Sequence, residues 1–292
     1  MPRITVAVAV YNGTATLAAA LDSVVNQSFT DYDILVVDDG SQDDPEKIIE
    51  QYPARYVKQP NQGLGAARER LTKEAEGEWI AFLDHDDTWH PEKLQRQVDA
   101  IRSGDVLVHC EGTYVYPDHE VIRESVFTDD PFAALLPNNR ILASSALYHR
   151  DSMLAAGNFT ADTVRCSDWY GWMKLAALGS FRHLPDNLIR YHVLDSSLAN
   201  AGFRFFDARR HIIERYFLGE FEAFFGSLSQ KRQSEVRTHL RRELALSLSG
   251  MARSKHLSGN RAEAVLLAKR AITTSPDVAK VVSRASGIFL GR

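Results

Sequence analysis

Cysteine is scarce: the 292 residues contain two, Cys110 and Cys166. Their spacing matches no zinc motif, which excludes a disulfide framework and points to a reducing, cytoplasmic setting. Long apolar runs are missing too. No segment approaches the roughly 20 apolar residues that cross a bilayer. The apolar start, Ile4–Tyr11, has no cationic leader and no small-residue cleavage site, so it reads as a first strand and not as a signal peptide. The composition is neither that of a collagen nor that of a disordered chain or coiled coil. Hydrophobic residues make up 45% and charged residues 25%, enough to bury a core. The length suits one α/β domain with an appendage.

A net charge of −4 conceals two opposite halves. Residues 1–200 carry 17 Lys and Arg against 30 Asp and Glu, whereas residues 201–292 carry 17 against 8. An acidic first part repels a phosphorylated ligand unless a cation intervenes. The basic remainder is either a solvated helical surface or a face for anionic lipid.

Strand and helix signals alternate through the first hundred residues. Ile4–Val10 is a β-branched apolar run that breaks at Tyr11-Asn12-Gly13, and a helix follows with Leu17, Leu21, Val24 and Val25 on one face. A second strand, Asp33–Val37, stops at Asp38-Asp39-Gly40-Ser41. Pro45–Gln51 reads as a short helix and Arg55–Gln59 as a strand. The loop Asn61–Gly65 leads into a helix over Ala66–Ala75. Trp79–Leu83 is another buried strand, ending in Asp84-His85-Asp86-Asp87, and Pro91 suits the first turn of the next helix. This order predicts an open, mostly parallel sheet with helices on both faces, and ligands beyond the carboxyl ends of its strands. Val106–Cys110, Gly112–Tyr116 and Ile141–Tyr148 are candidate strands, some antiparallel. Helices are expected from Met153 and over Trp169–Leu178, and from Phe203 onward the pattern is helical, with a boundary near residue 200 after Ser196-Ser197.

Three carboxylates in four positions, Asp84, Asp86 and Asp87, repel one another unless a cation joins them. Mg²⁺ takes one or two protein carboxylates and fills its shell with phosphate and water. The plain alternative is a helix cap from Asp87 or Thr88. Asp38-Asp39-Gly40-Ser41 can accept hydrogen bonds from a nucleobase or ribose, or can simply form a turn. Arg68 either offsets phosphate charge or faces solvent. Asp168 sits at the start of an apolar helix, where the dipole keeps it ionised and able to accept a proton, or where it serves as an ordinary cap. Trp169 and Trp172 belong to the core or stack on a sugar. His192 contacts metal or phosphate, or neither.

Taken in order, these segments resemble the family 2 glycosyltransferases of GT-A fold. The resemblance is carried by VAVAVYN ending at Asn12, SVVNQSF at 23–29, DILVVDDGSQDD at 33–44, NQGLGAARE at 61–69, AEGEWIAFLDHDD at 75–87 and SDWYGWMKLAALG at 167–179. It covers roughly residues 3–200. It implies an α/β GT-A catalytic domain, Rossmann-like, over 1–202, with a nucleotide-sugar half to about 104 and an acceptor half beyond. A helical C-terminal region would follow over 203–292. The implied activity is transfer of a sugar from a nucleotide diphosphate donor, UDP being the expected nucleotide, with inversion and with Mg²⁺ or Mn²⁺. Carried over by position, Ala9, Tyr11, Asn12, Asp39, Arg68, Asp84 and His85 would bind the nucleotide sugar. Asp86, with His192, would hold the metal, Asp168 would be the general base and Trp169 would face the acceptor.

The chain departs from the family at several positions. Ala9 replaces a usual proline, Glu69 an asparagine, and Ser167 the glutamate before the base. A basic Gln-x-x-Arg-Trp segment has no match, which favours single addition over processive synthesis. The acceptor would be a glycan, a lipid-linked sugar or a protein, and no nucleic-acid partner is expected. The alternatives are a nucleotidyltransferase, which needs a glycine-rich basic loop after the first strand, and an inactive nucleotide-sugar-binding scaffold. Over His239–Asp277, the spacing of Ala252, Gly259, Ala264, Ala271 and Pro276 resembles one tetratricopeptide unit. It predicts a helical hairpin that docks on the catalytic domain or on a second subunit. Peripheral contact at the inner membrane face is the other role open to the basic helices, the final stretch Val278–Arg292 among them.

Overall fold

The computed structural model describes residues 3–123, 131–135, 139–161, 166–193, 203–214 and 229–275, with Val281, Ala285, Gly287 and Ile288. Its contacts divide into two compact units, residues 1–194 and 195–292. The Ser196-Ser197 boundary, Pro276 and most of 278–292 lie outside the described residues.

The first unit is built around β1 (Ile4–Val10), all seven residues of which are buried. A strand covered on both faces reads as a continuous apolar run, because neither side-chain direction meets water. Helix α1 (Thr14–Val25) follows, then β2 (Tyr32–Asp38), α2 (Glu46–Ile49), β3 (Ala54–Lys58), α3 (Leu64–Glu74) and β4 (Trp79–Asp84). β1 lies parallel between β2 and β4, and β2 pairs parallel with β3. The register sets Val10 opposite Asp38 and Ala9 opposite Asp84. That alignment brings three polar strand ends to one edge of the sheet, where open parallel sheets bind ligands.

The remainder of the unit comprises β5 (Thr88–Trp89), α4 (Lys93–Ala100), β6 (Asp105–Val115), β7 (Glu120–Arg123), α5 (Pro131–Leu135), β8 (Leu147–His149), α6 (Arg150–Ala155), α7 (Ser167–Leu175) and β9 (Ser180–His192). The sheet order is β3-β2-β1-β4-β8-β6-β9-β5, with β7 paired to β6. β8 runs antiparallel to both β4 and β6. Three local expectations change. The two apolar runs on either side of Glu111 form one strand, β6, because Glu111 finds His183 of β9 as a partner. Pro91 and Glu92 form a turn, and the helix starts at Lys93. The run from Ile141 is interrupted by a 3₁₀ turn, Ala143–Ser145, which aims the Ser144 hydroxyl at Asp87.

In the second unit, α8 (Phe203–Ile212), α9 (Gln230–Leu257) and α10 (Arg261–Thr274) are present. The expected hairpin is α9–α10. Asn260 caps α10 by accepting from the Glu263 amide at 3.3 Å, while its own amide donates to the Glu263 carboxylate at 2.8 Å. Ala252, Ala264, Ala268 and Ala271 are buried, and such small side chains let helices pack closely. Among the described residues no helix is long and apolar enough to cross a membrane.

Candidate active site

The β1–α1 turn and the loop after β2 are laced together. Asn12, at φ 51°, donates its amide to Ser41 Oγ (2.9 Å) and accepts from the Gln42 amide (2.9 Å). Thr14 donates its amide and its hydroxyl to Asp43 Oδ2, both at 2.9 Å. Tyr11 is left 46% exposed at the mouth of this edge, and Ala9 is buried behind it. Asp39 is 4% exposed and holds the loop before α3. It accepts from Gln59 Nε2 (2.7 Å) and from the amides of Gln62 (2.9 Å) and Gly63 (2.7 Å). Gly63 has φ +89°, a conformation that L side chains rarely adopt, so glycine there lets the loop turn its amide to Asp39. Asp39 therefore pins the loop before α3 to the end of β2.

The four residues at the end of β4 part company. Asp84 pairs with Arg68 Nη2 at 3.2 Å, and its amide donates to Ser144 Oγ at 3.1 Å. His85 lies against Gly13, where a Cβ would come within 2.5 Å of His85 Nδ1, and that nitrogen is 3.0 Å from Thr16 Oγ1. Asp87 is wholly buried. It accepts from the Ser144 hydroxyl at 2.5 Å and from the His192 amide at 3.0 Å. Its two oxygens thus tie the segment after β4 to the 3₁₀ turn Ala143–Ser145 and to the end of β9, and burial followed by the charges of Asp84 and Asp86 pushes its proton affinity well above the ordinary carboxylate range. Asp86 is raised as well, by burial first and by Asp84 second.

Among the described residues no group of three His, Cys, Asp or Glu side chains is arranged to hold a metal. The donor set nonetheless fits a hard divalent ion that takes few protein ligands. His192 Nδ1 lies 2.7 Å from the Asp86 carbonyl, so it must carry the hydrogen, which leaves Nε2 as an acceptor. Metal-binding histidines are oriented by such carbonyl contacts. Asp86 and His192 are the residues that suit this role, and Asp87 is not.

Asp168 enters from the first turn of α7. Its Oδ2 accepts from Asn139 Nδ2 at 2.8 Å, and its Oδ1 lies 3.9 Å from Arg68 Nη1. Burial raises its proton affinity and Asp84 adds to this, while Arg68, the Trp169 amide and Asn139 hold it back. The geometry brings Asp84 and Asp168 to one guanidinium. It does not present Trp169 to a sugar: that ring is 2% exposed and its indole N–H donates to the Leu135 carbonyl at 3.0 Å. The tryptophan is core because an aromatic at the start of an apolar helix buries its ring when the N–H finds a partner. Arg68 is likewise enclosed, at 4% exposure, rather than set on a solvent face. Asn139, Ser144 and Ser167 support the site without having stood out in the sequence. Their partners are tens of residues away, and only Ser167, as a departure from the family pattern, left a signal.

The sequence profile described as glycosyl transferase family 2 matches residues 5–151, half of the 292-residue chain. The chain belongs to that family. An uncharacterized glycosyltransferase of Nostoc sp. is 31% identical over 209 residues, 65% of this chain and 65% of that protein. The chain spans at most 66% of the length of the first curated relatives it matches. S. aureus TarS 1–349 in complex with UDP-GlcNAc superposes with a TM-score of 0.66 at 17% identity, covering 99% of this chain and 92% of that one. The mannosyltransferase PcManGT of Pyrobaculum calidifontis, in complex with GDP-Man and Mn²⁺, gives 0.61 at 18%, covering 100% and 88%. At these identities the likeness establishes the fold, an α/β architecture of GT-A type with a helical C-terminal region.

Proposed function

We propose that this chain transfers one sugar from a nucleoside diphosphate sugar to an acceptor hydroxyl, with inversion. The observation that carries the reading is the meeting of Asp84 and Asp168 at Arg68, which sets a carboxylate from the donor edge beside one at the head of α7. Residues 1–104 form the donor half and residues 105–202 the acceptor half. Tyr11, Asn12, Asp39 and His85 shape the nucleotide pocket, with UDP as the nucleotide. TarS, a structural neighbour, was solved with UDP-GlcNAc, and PcManGT with GDP-Man and Mn²⁺. Asp86 and His192 would hold Mg²⁺ or Mn²⁺, and the chemistry such an ion supplies is positive charge beside a diphosphate leaving group.

Asp168 takes the proton of the acceptor hydroxyl. Its carboxylate is aimed by Asn139 on one oxygen, and burial strengthens it as a base. The hydroxyl then attacks the anomeric carbon from the face opposite the leaving group. One displacement inverts the centre and needs no covalent enzyme intermediate. The acceptor hydroxyl belongs to a glycan, a lipid-linked sugar or a protein. The basic helices of 203–292 are the segment available for a homodimer contact or for an anionic inner-membrane face.

The test is a panel of UDP- and GDP-sugars with Mn²⁺ or Mg²⁺. Release of UDP is expected. Asp168→Asn should lower it by about 10²–10⁴-fold, with nucleotide binding retained. Unchanged turnover in that variant removes the base assignment. Formation of UTP or GTP and a sugar 1-phosphate when pyrophosphate is added would indicate a nucleotidyltransferase, and binding without turnover a scaffold.

A further inference from the structure

The resemblance has Arg68 meet the donor, yet its guanidinium is enclosed and both terminal nitrogens donate to protein. Nη2 donates to Asp84 Oδ1 (3.2 Å) from the end of β4, and Nη1 donates to Ser167 Oγ (3.0 Å) from the start of α7. Asp168 Oδ1 stands 3.9 Å from the same Nη1, close enough for charge attraction and too far for a hydrogen bond. The Phe82 ring lies 5.6 Å from the guanidinium carbon and closes one face. A planar fork with several donors can span two elements in this way, which a single ammonium cannot.

We propose that Arg68 is a positioning residue for the base: anchored by Asp84 and aimed by Ser167, it holds the Asp168 carboxylate in place without occupying it. This rests on the glycosyl-transfer reading for its kinetic consequences, though not for the contacts themselves. Ser167 stands where the family resemblance expects a glutamate. A glutamate there would add a negative charge beside Arg68 and compete with Asp168. A hydroxyl accepts one N–H and leaves the positive charge to the two aspartates. Oδ1 of Asp168 thereby keeps a lone pair for a proton while Oδ2 is fixed by Asn139.

Among the described residues, the charged groups that face Asp168 are Arg68 from α3 and Asp84 from β4, and its neutral neighbours are the Asn139 side chain and the Trp169 amide. Arg68 also faces Tyr148 of β8. Arg68 opposes protonation of Asp168 and Asp84 favours it. Weakening the Arg68 link must therefore raise the pH at which Asp168 ionises. Removing Ser167 frees Nη1 to close on Asp168 and must lower it.

The experiment compares wild type, Arg68→Lys and Ser167→Ala. The Asp168 carboxyl is titrated by ¹³C NMR of aspartate-labelled protein, its signal assigned by loss in Asp168→Asn. The midpoint should rise in Arg68→Lys and fall in Ser167→Ala. In turnover, Arg68→Lys should lower kcat by roughly 10–100-fold, the scale of a small misplacement of a reacting group, with donor KM within about twofold, and move the acid limb of the pH profile upward. Unmoved midpoints overturn the proposal. So does a raised donor KM with kcat kept, since that marks Arg68 as a donor contact. If Arg68→Lys fails to fold, the Ser167→Ala midpoint alone decides. The titration needs no turnover, so a chain that transfers no sugar refutes the proposed function while the midpoints still judge Arg68.

Discussion

Arg68 of α3 and Lys93, the first residue of α4, are two cations enclosed by protein, and they are treated in opposite ways. Arg68 has carboxylates from two elements within 4 Å and stays charged. Lys93 is 0% exposed, and its Nζ has no hydrogen-bond partner among the described residues. It lies 3.8 Å from the centroid of the Trp89 ring. Burial drives its pKa down to about 7, with the nearby Cys110 opposing slightly. The contrast teaches that enclosure alone does not make a charge useful. A guanidinium cannot shed its proton, so the fold must supply anions, and it supplies those of the site. An amine can shed its proton, so it can be packed as a nearly apolar stem.

The largest effect that would break this comparison is on Arg68. Arg68→Met should cost about 3 kcal/mol in urea unfolding, the low end for unpairing a buried charge, because Asp84 and Asp168 keep 28% and 19% side-chain exposure. A loss near zero would mean that the two carboxylates need no counter-charge. Lys93→Met should act with the opposite sign, gaining about 1–2 kcal/mol at neutral pH as an amine without acceptors becomes a thioether of similar length.

The pH dependence sharpens the same point. The folded amine titrates near 7 against an ordinary 10.5, so between those values the unfolded chain binds the extra proton. Lys93 therefore makes the fold gain stability as pH rises from about 7 towards 10, by up to about 1.4 kcal/mol per unit. That slope should vanish in Lys93→Met, and a slope equal to wild type would place the ammonium in contact with water.

The smallest predicted change tests a carboxylate. Ser144→Ala removes the hydroxyl that joins the Asp84 amide to Asp87, and should cost about 1 kcal/mol of stability.

The strand ends were legible because the chain changes character there. Ile4–Val10 and Trp79–Asp84 are buried runs that stop at polar clusters, and alignment of parallel strands does the rest. Asp86 and Asp87 were not distinguishable by type or spacing. Asp87 turns inward because Ser144, 57 residues on, and the His192 amide, 105 residues on, complete its shell. Trp169 gave the same ambiguity, resolved against the acceptor by the carbonyl of Leu135. Asn139, which steadies Asp168 from 29 residues away, carried no signal of its own.

Local alternation of apolar runs with helix-forming stretches, read with the acidic breaks between them, determined the α/β class and the edge of the sheet that bears the carboxylates, and the ordered motifs carried the resemblance to the family. Hydrophobic periodicity is a property of neighbouring residues and survives without knowledge of the fold. Tertiary structure alone decided which acid is spent on scaffolding, and that Arg68 points inward between Asp84 and Asp168. Those outcomes depend on which distant donor desolvates or neutralises each carboxylate, a quantity that no stretch of contiguous sequence contains.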